Sequence, residues 1–251
     1  MSTFFILLRR EVMGFFQSAL GYVVLFFLLL LTGFNFLYSL GIMNGQALEV
    51  TLLEVFFNTA IFWIGYILVF PLLTMRSFAE EFKMGTIEPL MTAPVTDLQV
   101  VAAKFFGILI FYCIVWIPSF FYFRIFESVT SEQVAVSAGP YIGSYLMLFM
   151  MGMFFISVGC LASVLTQNQI VAAVISLFAV LIFFCFGYLL FMTVNITSGL
   201  QEMASYVSTV EHMASFSRGL IDTRPMVYYL SGTALMLFLT YTFFQARRWK
   251  S

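Results

Sequence analysis

Charge is what this sequence has least of. Only 9% of its 251 residues are Asp, Glu, Lys or Arg, while 62% are hydrophobic, and a soluble chain of that length needs far more polar area to cover its surface. The composition requires an integral membrane protein, with room for about six spans of roughly 20 residues each. That leaves no space for a second, catalytic domain. Lys and Arg number 11 against 12 acidic residues, so nucleic acid has no basic patch to bind. Histidine occurs once, at His212, and no H-E-x-x-H is present, which removes the zinc-hydrolase constellation. Cys113, Cys160 and Cys185 stand inside apolar runs without C-x-x-C spacing, and read as small buried hydrophobes rather than metal ligands or disulfides. G-x-S-x-G is absent. So is G-x-x-x-x-G-K-[ST], leaving no loop of that kind to cradle a nucleotide phosphate. No short apolar core with a small-residue cleavage site opens the chain, so no signal peptide is expected to be removed.

The few charges that remain divide the chain. Phe4, Phe5, Leu8, Val12, Phe15, Phe16 and Ala19 form a helical stripe over residues 2–19, with Arg9, Arg10, Glu11 and Gln17 off it, the pattern of a helix lying in the membrane interface. The charge-free interval after Glu11 holds a first span, about Gly21 to Ser39, followed by a polar turn at Asn44-Gly45-Gln46. Glu54 and Arg76 bracket the next charge-free run, Lys104 and Arg124 a third, and Arg224 and Arg247 the last. The run from Glu132 to Glu202 is too long for one span. It must fold back at Thr166-Gln-Asn-Gln169, giving two helices of about Tyr141 to Leu165 and Ile170 to Met192, and six spans in all. Counted over the loops so formed, 8 basic residues fall on one side and 3 on the other, which puts both termini and the loop from Arg76 to Lys104 in the cytoplasm.

Capping boxes sharpen the boundaries. Thr96-Asp-Leu-Gln99 starts the third span and lifts Lys104 toward the membrane surface, while Ser198-Gly-Leu-Gln201 opens an amphipathic outer helix carrying Met203, Tyr206, Val207, Val210, Met213 and Ala214 at helical spacing. His212, beside Glu211, reads there as an interfacial polar residue, with a catalytic base or pH sensor as the alternative. Phenylalanine occurs 33 times; such rings suit contact with lipid and neighbouring helices, or the lining of a path for an amphiphilic cargo. Gly14, Gly33, Gly41, Gly65, Gly107, Gly152, Gly159 and Gly187 permit close helix approach. No span carries an ionisable residue at its middle, so nothing points to ion-coupled transport. No internal repeat is evident, and residues 1–251 read as one domain.

The densest charge lies between the second and third spans. Arg76, Glu80, Glu81, Lys83 and Glu88 crowd a segment punctuated by Gly85, Pro89 and Pro94. Glu80-Glu-Phe-Lys-Met-Gly-Thr-Ile-Glu-Pro-Leu-Met-Thr-Ala-Pro94 resembles the E-x-x-x-G-T-[IL]-E-x-L-x-[TS]-x-P signature of the membrane subunits of ABC-2 type exporters. Ser217-Arg-Gly-Leu-Ile-Asp222, before the last span, is similar to the R-G-[VL]-I-D segment of the gliding-motility-associated permease group. The resemblance covers essentially the whole chain.

The resemblance implies an all-α membrane protein of the bacterial inner membrane. It implies six spans, an N-terminal interfacial helix, a cytoplasmic coupling helix and re-entrant outer helices between the fifth and sixth spans. It also implies a permease, itself no enzyme, that pairs with a second copy or a related chain and docks on two separate ATPase subunits. Those subunits, not this chain, would bind ATP and Mg. The expected coupling element is 77–94, with Phe78, Glu80, Glu81, Phe82, Lys83, Gly85, Thr86, Glu88 and Pro94 as its contacts: carboxylates for basic groups on the ATPase, and Phe78 and Phe82 for a hydrophobic groove. The expected outer segment is 195–224, with Glu211, His212, Arg218, Gly219 and Asp222. A polytopic membrane enzyme would need a nucleophile or metal constellation that the sequence does not assemble. A non-transporting anchor, passing ATPase-driven motion to an extracytoplasmic partner, remains the alternative.

Overall fold

The computed structural model describes residues 3–43, 50–86, 95–130, 138–192 and 206–248, and the described residues form helices, turns and bends with no strand. In chain order the helices are α1 (Thr3–Gln17), α2 (Ala19–Met43), α3 (Leu52–Asn58), α4 (Ala60–Thr74) and α5 (Ala79–Met84). After them come α6 (Asp97–Thr130), α7 (Ala138–Val164), α8 (Gln169–Met192), α9 (Thr209–Ser217) and α10 (Thr223–Arg248). Apolar runs become helices because no water is present in lipid to pair a free backbone group. Hydroxyls inside them bond back to the preceding turn, as Thr32 does to Leu28 O and Thr74 to Phe70 O.

Among the described residues, five stretches are long and apolar enough to cross a membrane: Ala19–Met43, Ala60–Met84, Asp97–Ser128, Ala138–Val164 and Thr223–Arg247. Within α8, Gln169–Cys185 is apolar but shorter. The protein is thus a multi-pass membrane protein. α7 lies at its centre, packed against α4, α6, α8, α9 and α10. The inside is filled by rings: Tyr66 and Phe70 of α4, Tyr112 and Trp116 of α6 and Phe155 of α7 stack within about 6.2 Å of one another. Tyr66 and Tyr112 both direct their hydroxyls at Leu148 O, at 3.4 and 2.9 Å.

Several boundaries differ from those the sequence suggests. The run between Glu54 and Arg76 is not one helix. It breaks at Thr59, whose hydroxyl accepts from Phe62 N at 3.3 Å to cap α4 and donates to Asn35 Oδ1 of α2 at 2.6 Å. Asn35 Nδ2 in turn donates to Phe56 O at 3.0 Å, so a buried amide on the neighbouring helix holds the interruption open. On α1, Phe5 points outward at 60% exposure, whereas Glu11, read as off the apolar stripe, turns inward. The Thr96 box forms reciprocally: Thr96 N donates to Gln99 Oε1 at 3.2 Å and Gln99 N to Thr96 Oγ1 at 3.3 Å. Lys104, expected near the membrane surface, is enclosed by neighbouring helices and only 2% exposed. The outer helix α9 is capped by Ser208, which accepts from Glu211 N at 3.4 Å; the Ser198 box lies outside the described residues. Asn44 to Gln46, Glu88, Pro89, Pro94 and residues 195–205 lie outside the described residues.

Candidate coupling site

The corner between α4 and α5 is built from both sides. Met75 N–H closes the end of α4 on Pro71 O at 3.0 Å, and Ser77 Oγ donates to Thr74 O at 2.8 Å. Phe78 stands at the N-cap of α5 with no side chain able to cap it. Ser163 of α7 takes over that role. Its Oγ accepts from Phe78 N at 3.0 Å and Ala79 N at 3.1 Å, and donates to Met75 O at 3.3 Å. α5 stops at Gly85, whose φ of 68° is the left-handed conformation that glycine adopts without strain. Glu80 and Glu81 occupy the first turn and Lys83 the last, the arrangement the helix dipole favours.

The inner face of α5 is locked to the bundle. The Phe78 ring is fully buried, 5.7 Å from Phe244 of α10, with the Lys104 ammonium 5.4 Å above it. Phe82 lies 6.4 Å from Phe244 and 4.6 Å from the Arg247 guanidinium, which also donates to Leu165 O at the end of α7. Glu81 Oε1 meets Lys104 Nζ at 2.9 Å and Arg10 Nη2 at 3.1 Å. Lys104 also reaches Glu11 Oε1 at 3.4 Å. One buried ammonium therefore ties three helices, α1, α5 and α6. α1 can come this close because Gly107, one turn along α6 from Lys104, has no side chain: a Cβ there would lie 2.7 Å from Glu11 Cβ. Burial alone pushes the Glu11 carboxyl up, but Lys104 and Arg10 outweigh it and hold the group below its ordinary 4.5. A cleft of about 360 Å³ opens beside the cluster, lined among others by Arg10, Glu11, Arg76, Glu80 and Lys104.

Of the residues expected to contact an ATPase, the structure separates two sets. Phe78 and Glu81 face inward, and Phe82 is covered by Arg247, so their contacts are with this chain, because the helix needs them to stay attached. Glu80, Lys83, Gly85 and Thr86 form the outward side; Glu80 is 42% exposed, with Arg76 at 3.8 Å as its ion-pair partner among the described residues, a pairing worth little in water. Glu11, Lys104 and Ser163 were missed. A lysine at the eighth position of an otherwise largely apolar helix is the signal that could have pointed to a buried acidic partner.

A family profile described as "ABC-2 family transporter protein" matches residues 7–187, which takes in α1 through most of α8. The chain belongs to the ABC-2 transporter family. No curated protein matches it. ABC-2 permeases are membrane components, not themselves catalytic, and normally work with an ABC ATPase.

The opposite end of this ABC-2 chain explains its second motif residue by residue. Arg218 Nε pairs with Glu54 Oε1 of α3 at 2.6 Å. Gly219, with φ of 84°, closes α9: its N–H donates to Phe216 O at 3.0 Å and that of Leu220 to Ser215 O at 3.1 Å, the paired bonds of a Schellman ending. Asp222 Oδ1 then accepts from Arg224 N at 3.0 Å to cap α10. His212 is buried within the protein: it is 5% exposed and shares a hydrogen bond with Tyr229 Oη at 3.1 Å. Glu211 lies beside it, half-buried. The structure brings these five residues together as a structural corner, far from α5.

Proposed function

We propose that the chain is the permease subunit of an ATP-driven ABC-2 exporter in a bacterial cytoplasmic membrane, with six spans, cytoplasmic termini and residues 1–251 acting as one transmembrane domain. Two ATPase subunits supply ATP and Mg, and two permeases, identical or related, form the passage between them. The observation that carries this reading is the two-sidedness of α5: an outer face of Glu80, Lys83, Met84 and Thr86 left to solvent, and an inner face bonded to α1, α6, α7 and α10. A helix free on one side and rigidly held on the other passes displacement inward. The ring-filled interior supports a passage at a surface shared by two chains, since a path through one would have to displace the stack of Tyr66, Tyr112 and Phe155. The Arg218 to Asp222 segment supports the gliding-type branch.

The test is purification of the tagged chain from its host in mild detergent, with native mass spectrometry and an ATPase assay. Recovery of two permeases with two ATPases, lost in Glu80→Lys/Lys83→Glu with the chain still inserted, is the expected result. A wild-type chain recovered without an ATPase refutes the reading. One feature favours an anchor that moves without transporting: Leu220 and Ile221, in the α9–α10 turn, are 65% and 53% exposed at the end opposite α5, an apolar contact offered to an outer partner. An assembled complex that hydrolyses ATP but moves no cargo into vesicles selects that alternative.

A further inference from the structure

A second cavity lies away from the coupling corner, between the far end of α6 and the start of α7. It measures about 710 Å³ and is lined by Phe120, Arg124, Glu127, Tyr141, Tyr145 and Phe149, among others, within the range of about 300–1,000 Å³ usual for small-molecule sites. Its polarity is graded. Arg124 and Glu127 stand at one end, 62% and 28% exposed, joined by a single 3.2 Å contact between Nη1 and Oε2. Below them the walls are ring and aliphatic surface, because both tyrosine hydroxyls are already used: Tyr141 Oη donates to Phe120 O at 3.0 Å, and Tyr145 Oη bonds Ser119 Oγ at 3.0 Å.

Depth decides what such a groove can hold. Lys104 and Arg124 lie on one unbroken helix, twenty residues apart and therefore about 30 Å along its axis. That equals the hydrocarbon thickness of a bilayer, about 30 Å. With Lys104 at one boundary, Arg124 and Glu127 sit at headgroup level in the opposite leaflet. The lining residues of α7 from Tyr141 to Phe149 then descend about 12 Å into the acyl region. The rim carries one positive and one negative charge. Arg124 Nε and Nη2 and Glu127 Oε1 make no bond among the described residues.

We infer that this groove is a specific site for one phospholipid with a phosphoethanolamine headgroup, its phosphate on Arg124, its primary ammonium on Glu127 and an acyl chain against Phe120, Tyr145 and Phe149. An anionic glycerol headgroup offers Glu127 no cation. A choline headgroup offers it a charge without an N–H to donate.

The protein is reconstituted in equal parts dioleoyl phosphatidylethanolamine, phosphatidylcholine and phosphatidylglycerol, then released for native mass spectrometry, and the retained lipid is counted. One ethanolamine lipid per chain is expected, preferred roughly fivefold over each competitor, as one rim charge contact allows. Glu127→Gln brings the ratio to one, Arg124→Gln lowers retention of all three lipids because each carries the phosphate, and Leu146→Trp, which fills the groove, removes the bound lipid. Equal retention of the three lipids, a preference for the glycerol lipid, or a preference untouched by Glu127→Gln overturns the site. Stepwise N-methylation of the headgroup, read on the unaltered protein, keeps the test decisive should a variant misfold: retention falls with each methyl, and unchanged retention overturns the proposal.

Discussion

Replacing Lys104 by methionine should destabilise the protein more than removing the entire charge cluster. Lys104 Nζ lies 2.9 Å from Glu81 Oε1 and 3.4 Å from Glu11 Oε1, with the lysine side chain 2% exposed and the carboxylates 19% and 18%. At an effective dielectric near 20, each contact is an attraction of about 5–6 kcal/mol before desolvation is subtracted. Stripping water from a buried ammonium and two half-buried carboxylates cancels most of that, so the intact cluster contributes little net stability. Methionine leaves the desolvation of Glu11 and Glu81 in place and removes their main cation. Arg10, half exposed, cannot replace it. The expected cost is about 3–5 kcal/mol. In Lys104→Met/Glu11→Gln/Glu81→Gln only half-exposed Arg10 keeps a charge, and stability should return to within about 1 kcal/mol of the original. Reversible unfolding in mixed micelles, followed by circular dichroism, measures both. Trypsin cleavage after Arg9 and Arg10 adds a local readout of α1 coming away. A triple variant no more stable than Lys104→Met, or a Lys104→Met variant within about 0.5 kcal/mol of the parent, refutes the electrostatic account.

Ser163→Ala removes the side chain that caps the start of α5 and takes the hydroxyl from two amides and a carbonyl. It should cost about 1–2 kcal/mol and speed hydrogen exchange at Phe78 and Ala79, at the start of α5, more than at the amides of α4. The Glu11 carboxyl, held below its ordinary 4.5 in the fold, contributes stability that is fully present above that value and is lost as pH falls through the lowered one. Protection of α1 from an acid-active protease should therefore be constant from neutral pH down to about 5 and decline below about 4.5, and Glu11→Gln should flatten the profile.

Much of this fold is legible in one dimension because lipid imposes a simple rule: the backbone must be satisfied within each segment, so an uncharged run becomes a helix. The fold-back at Thr166 to Gln169 and the Thr96 capping box follow from that rule and from local bonding, and so do the limits of α2 and α10 to within a few residues. The ABC-2 signature was likewise readable as written sequence. Sequence periodicity placed Glu11 on the wrong side of α1, because a hydrophobicity pattern assumes that charge seeks water, and Lys104, 93 positions along the chain, supplies a better partner. The break at Thr59 was hidden for a similar reason: Asn35, on another helix, supplies the bonds that the interrupted backbone gives up. The cap of α5 comes from Ser163, 84 residues from Ala79. The sequence by itself therefore determined that the chain crosses a membrane, roughly where, and to which family it belongs, since hydropathy and capping act over one or two turns. Only the tertiary structure decided which face of α5 is free and which polar groups are spent inside, since those depend on atoms brought together from distant helices.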